Sequence, residues 1–192
     1  MAGSFEDLLD LSEFDGTSQI AKFIHKEDEG INTYRSTWSY ISYSYALAFD
    51  ELARKAFEDG ARGANLGNAL FFLARHSIEL ELKNIIVEYT ETDDAPPELA
   101  GHHLVKLWEQ LSGYMERWGV PATDDWGINV AKLIADIQAA DPGGDRFRYP
   151  ADIKGNPFEP TRVEIEGLIR AHNSITMYLN ACGEMHSDGF RG

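Results

Sequence analysis

Cysteine occurs once in the 192 residues, at Cys182. One thiol excludes an intramolecular disulfide and a multi-cysteine zinc site. It fits a reducing compartment. Basic side chains are also scarce. There are 17 Lys+Arg against 32 Asp+Glu, a formal net charge of −15. That balance argues against a general nucleic-acid coat, which needs a basic face to displace phosphate counterions. It leaves room for a small basic site, and it suits a soluble protein or one that binds a basic partner. Long apolar runs are missing too, none approaching the roughly 20 residues of a membrane span. The opening MAGSFEDLLDLSEFDG is acidic and lacks the apolar stretch of a signal peptide. The expectation is a cytoplasmic protein with no membrane contact.

Internal repeats and low-complexity tracts are absent, and 43% of the chain is hydrophobic. The length suits one domain with its own core. Residues 1–30 read as an acidic segment with short helices around Phe5–Leu11 and Ile20–Ile24. Residues 31–182 read as one helical domain, and 183–192 as a flexible tail.

Within that domain the apolar spacing is helical. Trp38, Ile41, Tyr45, Phe49 and Leu52 mark a helix over 33–58. This aromatic stripe fits a core face and a dimer face equally well. A second helix spans about 64–90, stopped by Asp93–Pro97. A third, over 102–118, carries Leu104, Leu107, Trp108 and Leu111. A fourth, over 125–140, carries Val130, Leu133, Ile134 and Ile137, and ends at Asp141-Pro-Gly-Gly. DRFRYPADIKGNPFEP (145–160) is too proline-rich for a helix and reads as an extended excursion with a small hairpin. A last helix spans 162–182, with Thr161 as its N-cap. Long helices with short breaks predict an all-α, up-and-down bundle.

The helix at 64–90 carries the most chemistry. On a wheel, Ile78, Leu82, Ile85 and Tyr89 form one apolar face, and Ala69, Leu73, Leu80 and Val87 a second. Ser77, Glu81, Asn84 and Glu88 form a polar stripe suited to water. The remaining stripe reads Phe72, Arg75, His76, Glu79, Lys83, Ile86. Two apolar faces imply packing on two sides, so this charged stripe is expected in a partly closed groove. Arg75–Glu79 and Glu79–Lys83 are i,i+4 ion pairs that neutralise each other.

Three other places supply partners. His102 and His103 open the third helix, where one can cap and the other bind phosphate or move a proton. Arg146-Phe147-Arg148-Tyr149-Pro150 is the densest positive cluster in the chain. Its arginines can fork onto a phosphate while a ring stacks on a base, or the loop can simply plug the bundle. His172 sits on an apolar face, where a satisfied core histidine is the plainer reading.

FFLARHSIELELKNIIVEY, GHHLVKLWEQL and DRFRYP, with Asp152 and Gly155 following, resemble a group of bacterial HEPN-like proteins. The shared features are an R-H-x-x-E-x-x-x-K helix (Arg75, His76, Glu79, Lys83), a G-H-x-L helix start (His102, Leu104) and an F-R-Y-P element (Phe147–Pro150). The resemblance spans about 64–153. It implies an all-α bundle associated with toxin–antitoxin or phage-defence systems, and a homodimer or a protein partner. The superfamily's metal-independent ribonucleases carry an arginine followed after four to six residues by a histidine. No arginine in this chain has a histidine at that distance.

The leading expectation is therefore a non-catalytic binding module, with no cofactor, whose ligand is a protein, a nucleotide or an RNA end. An alternative is a metal-independent ribonuclease with an unusual cluster: Arg75, His76, Glu79 and His102 as catalytic groups. In that cluster a histidine takes the 2′-hydroxyl proton and an arginine steadies the phosphorane. Lys83, His103, Arg146, Arg148 and Tyr149 are the candidate phosphate-binding residues. A second alternative is a metal site built from His76, Glu79, His103 and His172.

Overall fold

The computed structural model describes residues 33–90 and 96–189. The chain divides into two compact units, 1–34 and 35–192. The short helices expected within residues 1–30 lie outside the described residues. The second unit is an all-α bundle, and no strand occurs among its described residues.

Its helices are α1 (Trp38–Glu58), α2 (Gly67–Thr90), α3 (Leu104–Arg117), α4 (Asp125–Ala140) and α5 (Ile165–Gly189), with a 3-10 turn (Gly63–Leu66) ahead of α2. α2 is the central element and packs on α1, α3 and α5. α3 then packs on α4, and α4 on α5, closing the bundle. Ile78, Leu82, Ile85 and Ile86 of α2 are completely buried. Each such side chain contributes roughly 1.5–3 kcal/mol relative to exposure.

Local chemistry sets the helix ends. The Thr37 hydroxyl accepts from the Tyr40 N–H and starts α1. Asp124 accepts from the N–H groups of Trp126 and Gly127 and starts α4. His103 caps α3 through the Lys106 N–H. Thr161 does not cap α5. The Glu164 carboxylate does so from just outside it, accepting from the Gly167 N–H. Thr161 is instead taken by Arg146, whose Nη2 donates to its hydroxyl and to the Glu159 carbonyl.

Two expectations are corrected. α5 does not stop at Cys182 but continues to Gly189. His186, in the supposed loose tail, is buried against Tyr89 and Trp118. The stripe Ser77, Glu81, Asn84, Glu88 is only partly open to water. Ser77 is buried, and the whole stripe lines a groove of about 680 Å³ between α1, α2 and α5. Ser39, Ser42 and Tyr43 of α1 and Thr176, Asn180 and Glu184 of α5 line it opposite. The small hairpin after DRFRYP is present, as a single antiparallel bridge between Ala151 and Pro157.

Candidate functional site

α2 presents Arg75, Glu79 and Lys83 on successive turns, and all three are buried. The groove read from the wheel is thus closed over its charges. Glu79 is the hub. Its Oε1 accepts from Lys83 Nζ at 2.9 Å and pairs with His102 Nδ1 at 2.8 Å. Its Oε2 accepts from Arg75 Nη1 at 3.4 Å. Burial alone would raise the Glu79 pKa, but the Lys83 and His102 donors outweigh it and hold the carboxyl below its ordinary value.

The same cations hold two loops. Arg75 Nη2 donates to the His102 carbonyl at 2.6 Å, and Lys83 Nζ to the Gly101 carbonyl at 3.0 Å. Arg75 Nε donates to the Asp141 carbonyl at 3.3 Å and lies 3.8 Å from the Asp141 carboxylate. Asp141 Oδ1 in turn accepts the N–H groups of Asp145 and Arg146. One chain of bonds therefore runs from α2 to the start of α3 and to the DRFRYP loop. Two buried cations, Arg75 and Lys83, meet two buried carboxylates, Glu79 and Asp141. The formal charge of this layer is zero, which is what allows it to be buried.

Above this layer lies an open rim. The His102 side chain is 68% exposed although its Nδ1 is tied to Glu79. His76 is half-buried, edge-on to Tyr45 at 4.4 Å and stacked parallel to Phe72 at 5.7 Å. Arg148 is exposed and lies 5.4 Å from the Phe72 ring and 5.4 Å from the Tyr149 ring. Burial pushes the His76 pKa down. Glu79 pulls it up, while His102, Lys83 and Arg148 push it further down. His76 is therefore mainly neutral near pH 7.

The expected site residues thus separate into two sets. Arg75, Glu79 and Lys83 belong to the buried layer. His76, His102, Arg148 and Tyr149 form the rim. His103 is spent on the α3 cap, and Arg146 on tying the loop to residues 159–161. Phe147 plugs the bundle by stacking on Phe71 at 4.0 Å, whereas Tyr149 is exposed. His172 is a buried core histidine, 2.7 Å from the Ser77 hydroxyl. The four residues of the metal alternative are not brought to a point. Among the described residues no group of three or more His, Cys, Asp or Glu is placed to hold a metal ion.

Asp141 was missed as a site residue. Followed by Pro-Gly-Gly, it reads only as a helix stop. Its signal is its place four residues ahead of Asp145, at a turn whose free N–H groups need an acceptor. Gln138 was missed as well: it accepts from the Leu104 N–H and donates to the Pro142 carbonyl, joining α3 to the same turn. Among the described residues no helix is long and apolar enough to cross a membrane. The chain matches no family model, no curated protein and no solved structure.

Proposed function

We propose that this chain is a HEPN-like, non-catalytic binding module of a bacterial defence, toxin–antitoxin or regulatory complex. The carrying observation is the buried layer. Arg75, Glu79 and Lys83 of the R-H-x-x-E-x-x-x-K motif are buried and paired with one another, and the two cations also donate to backbone carbonyls. Such groups brace loops and do not reach a substrate. The strongly acidic surface suits a basic protein partner. The test is affinity capture from the native host under low salt, followed by reconstitution with the purified partner. A saturable complex supports the reading. Metal-free RNA cleavage by the chain alone overturns it.

One observation favours a second reading, a metal-independent ribonuclease. The Glu79–His102 pair has the form of a carboxylate-oriented imidazole, with the outer nitrogen facing solvent. Arg148 supplies a cation on the same rim. In this reading His102 takes the 2′-hydroxyl proton, and Arg148 steadies the phosphorane charge. Incubation with tRNA and total RNA in EDTA decides it. Cleavage by the parent that disappears in a folded His76→Ala/His102→Ala variant supports the enzyme.

A further inference from the structure

We propose that His76, His102 and Arg148 form a surface site for a single dianionic phosphate monoester on a small ligand. The inference rests on the binding-module reading only in treating the rim as the part left free to bind. Three observations carry it. The first is charge. The layer beneath is formally neutral, so Arg148 adds a positive charge that nothing below it cancels. Arg148 makes no ion pair or hydrogen bond through its guanidinium among the described residues, only ring contacts with Phe72 and Tyr149. That is unusual company for an arginine in a chain with 32 acidic residues.

The second observation is convergence from three separate segments. His76 comes from α2, His102 from the turn before α3, and Arg148 from the DRFRYP loop. The Phe72 ring links two of them, stacking on His76 and lying beneath Arg148. Glu79 links the third, since it bonds His102 and lies one helical turn from His76. The third is rigidity. Arg75 fixes the backbone of His102 directly and that of the Arg148 loop through Asp141. Donors held in place lose little entropy when they bind.

Ligand size follows from the electrostatics. A nucleic-acid polyanion gains affinity from several phosphate contacts at once. This rim offers one arginine and two imidazoles, on a chain of net charge −15 that repels the remaining phosphates. A single dianionic group gains the local contacts without that long-range cost. The guanidinium fork suits two of its oxygens, and the exposed Tyr149 ring beside it gives a flat surface for a ring attached to the phosphate. An anion here favours the charged form of His76, which burial otherwise disfavours, so the protein takes up protons there on binding. The charges acting on His76 are Glu79 and Lys83 of α2, His102 and Arg148, while α1 meets it with the Tyr45 ring.

Isothermal titration of the full chain with inorganic phosphate, AMP and adenosine tests the site. Two pH 6.5 buffers of different ionisation enthalpy are used. AMP and phosphate are expected to bind and adenosine not to bind. The free ligand near this pH is partly the monoanion, so the protons it releases on binding as the dianion are subtracted before uptake by the protein is read. Arg148→Ala and His102→Gln should each weaken AMP about tenfold or more. Arg170→Ala, which removes one exposed arginine of α5, should leave it unchanged. No binding of phosphate or AMP at millimolar concentration overturns the proposal. So does equal weakening by Arg148→Ala and Arg170→Ala, which would mean diffuse charge. So does tighter binding of an oligoribonucleotide lacking terminal phosphates than of AMP. None of these results bears on capture of a protein partner, so the two readings fail separately.

Discussion

Glu79 and His102 are joined at 2.8 Å, one side chain almost wholly buried and the other largely in water. The pair is unequal in consequence. Glu79 is the shared counter-charge of Arg75 and Lys83, so Glu79→Gln leaves two buried cations without it. Breaking a buried pair in this way costs about 3–5 kcal/mol. His102→Ala removes an exposed partner and should cost less than about 1 kcal/mol. Urea unfolding of both variants measures the difference. Equal effects would mean that the buried layer does not brace the fold.

Gly144 lies over the Arg75 guanidinium. A Cβ on Gly144 would come within 3.1 Å of Nη1 and 3.3 Å of Cζ, and its φ is +76°. Gly144→Ala therefore meets an unfavourable backbone region and a crowded, immobile cation together. A loss of about 1–3 kcal/mol is expected. Gly113→Ala, on α3 with open space at the Cβ, should instead stabilise by up to about 1 kcal/mol. Thermal unfolding of the two variants gives opposite signs if the backbone account holds.

The helices were legible because apolar side chains repeat at helical spacing, as with Val130, Ile134 and Ile137, all buried as expected. Their ends were less so. α5 runs past Cys182 because Tyr89 and Trp118, remote in sequence, cover His186. The charged stripe was legible as a groove, since two apolar faces flank it. Which charges stay open was not. That depends on which backbone carbonyls come to meet Arg75 and Lys83, and these belong to residues 101, 102 and 141. Arg146 and Arg148 look alike in sequence, yet the first is bonded to residues 159–161 and the second lies against rings on the surface. Loop conformation, not composition, separates them.

Cys182 is wholly buried, and burial pushes its thiol pKa up to about 12, with the nearby Asp124 charge adding to the rise. The thiolate is the reactive species. Iodoacetamide at pH 8 should leave the folded protein unmodified for hours and label it within minutes in denaturing urea. Mass spectrometry of the intact chain reads both states. Rapid labelling without urea would show that the C-terminal turns of α5 open readily.

His172 supplies a pH dependence of stability. Its ring lies 3.7 Å from that of Phe49, and its Nε2 is 2.7 Å from the Ser77 hydroxyl. Burial lowers its pKa to about 4, against about 6.5 in the unfolded chain. Between these values the unfolded state binds more protons. Stability is therefore complete above about pH 6.5 and falls as the pH drops towards 4. The full loss from this group is about 3 kcal/mol. His76, also lowered by burial, adds in the same direction. Asp50 and Glu81, whose carboxyls burial raises, act in the opposite sense in the carboxylate range. The discriminating quantity is thus the slope lost on substitution. His172→Phe retains a ring against Phe49 and leaves Ser77 bonded to the Ala74 carbonyl. Urea unfolding at pH 7 and pH 5 should show a smaller drop in the variant than in the parent. Equal drops would mean that His172 reaches water in the folded state, and that the Ser77 contact does not keep it neutral.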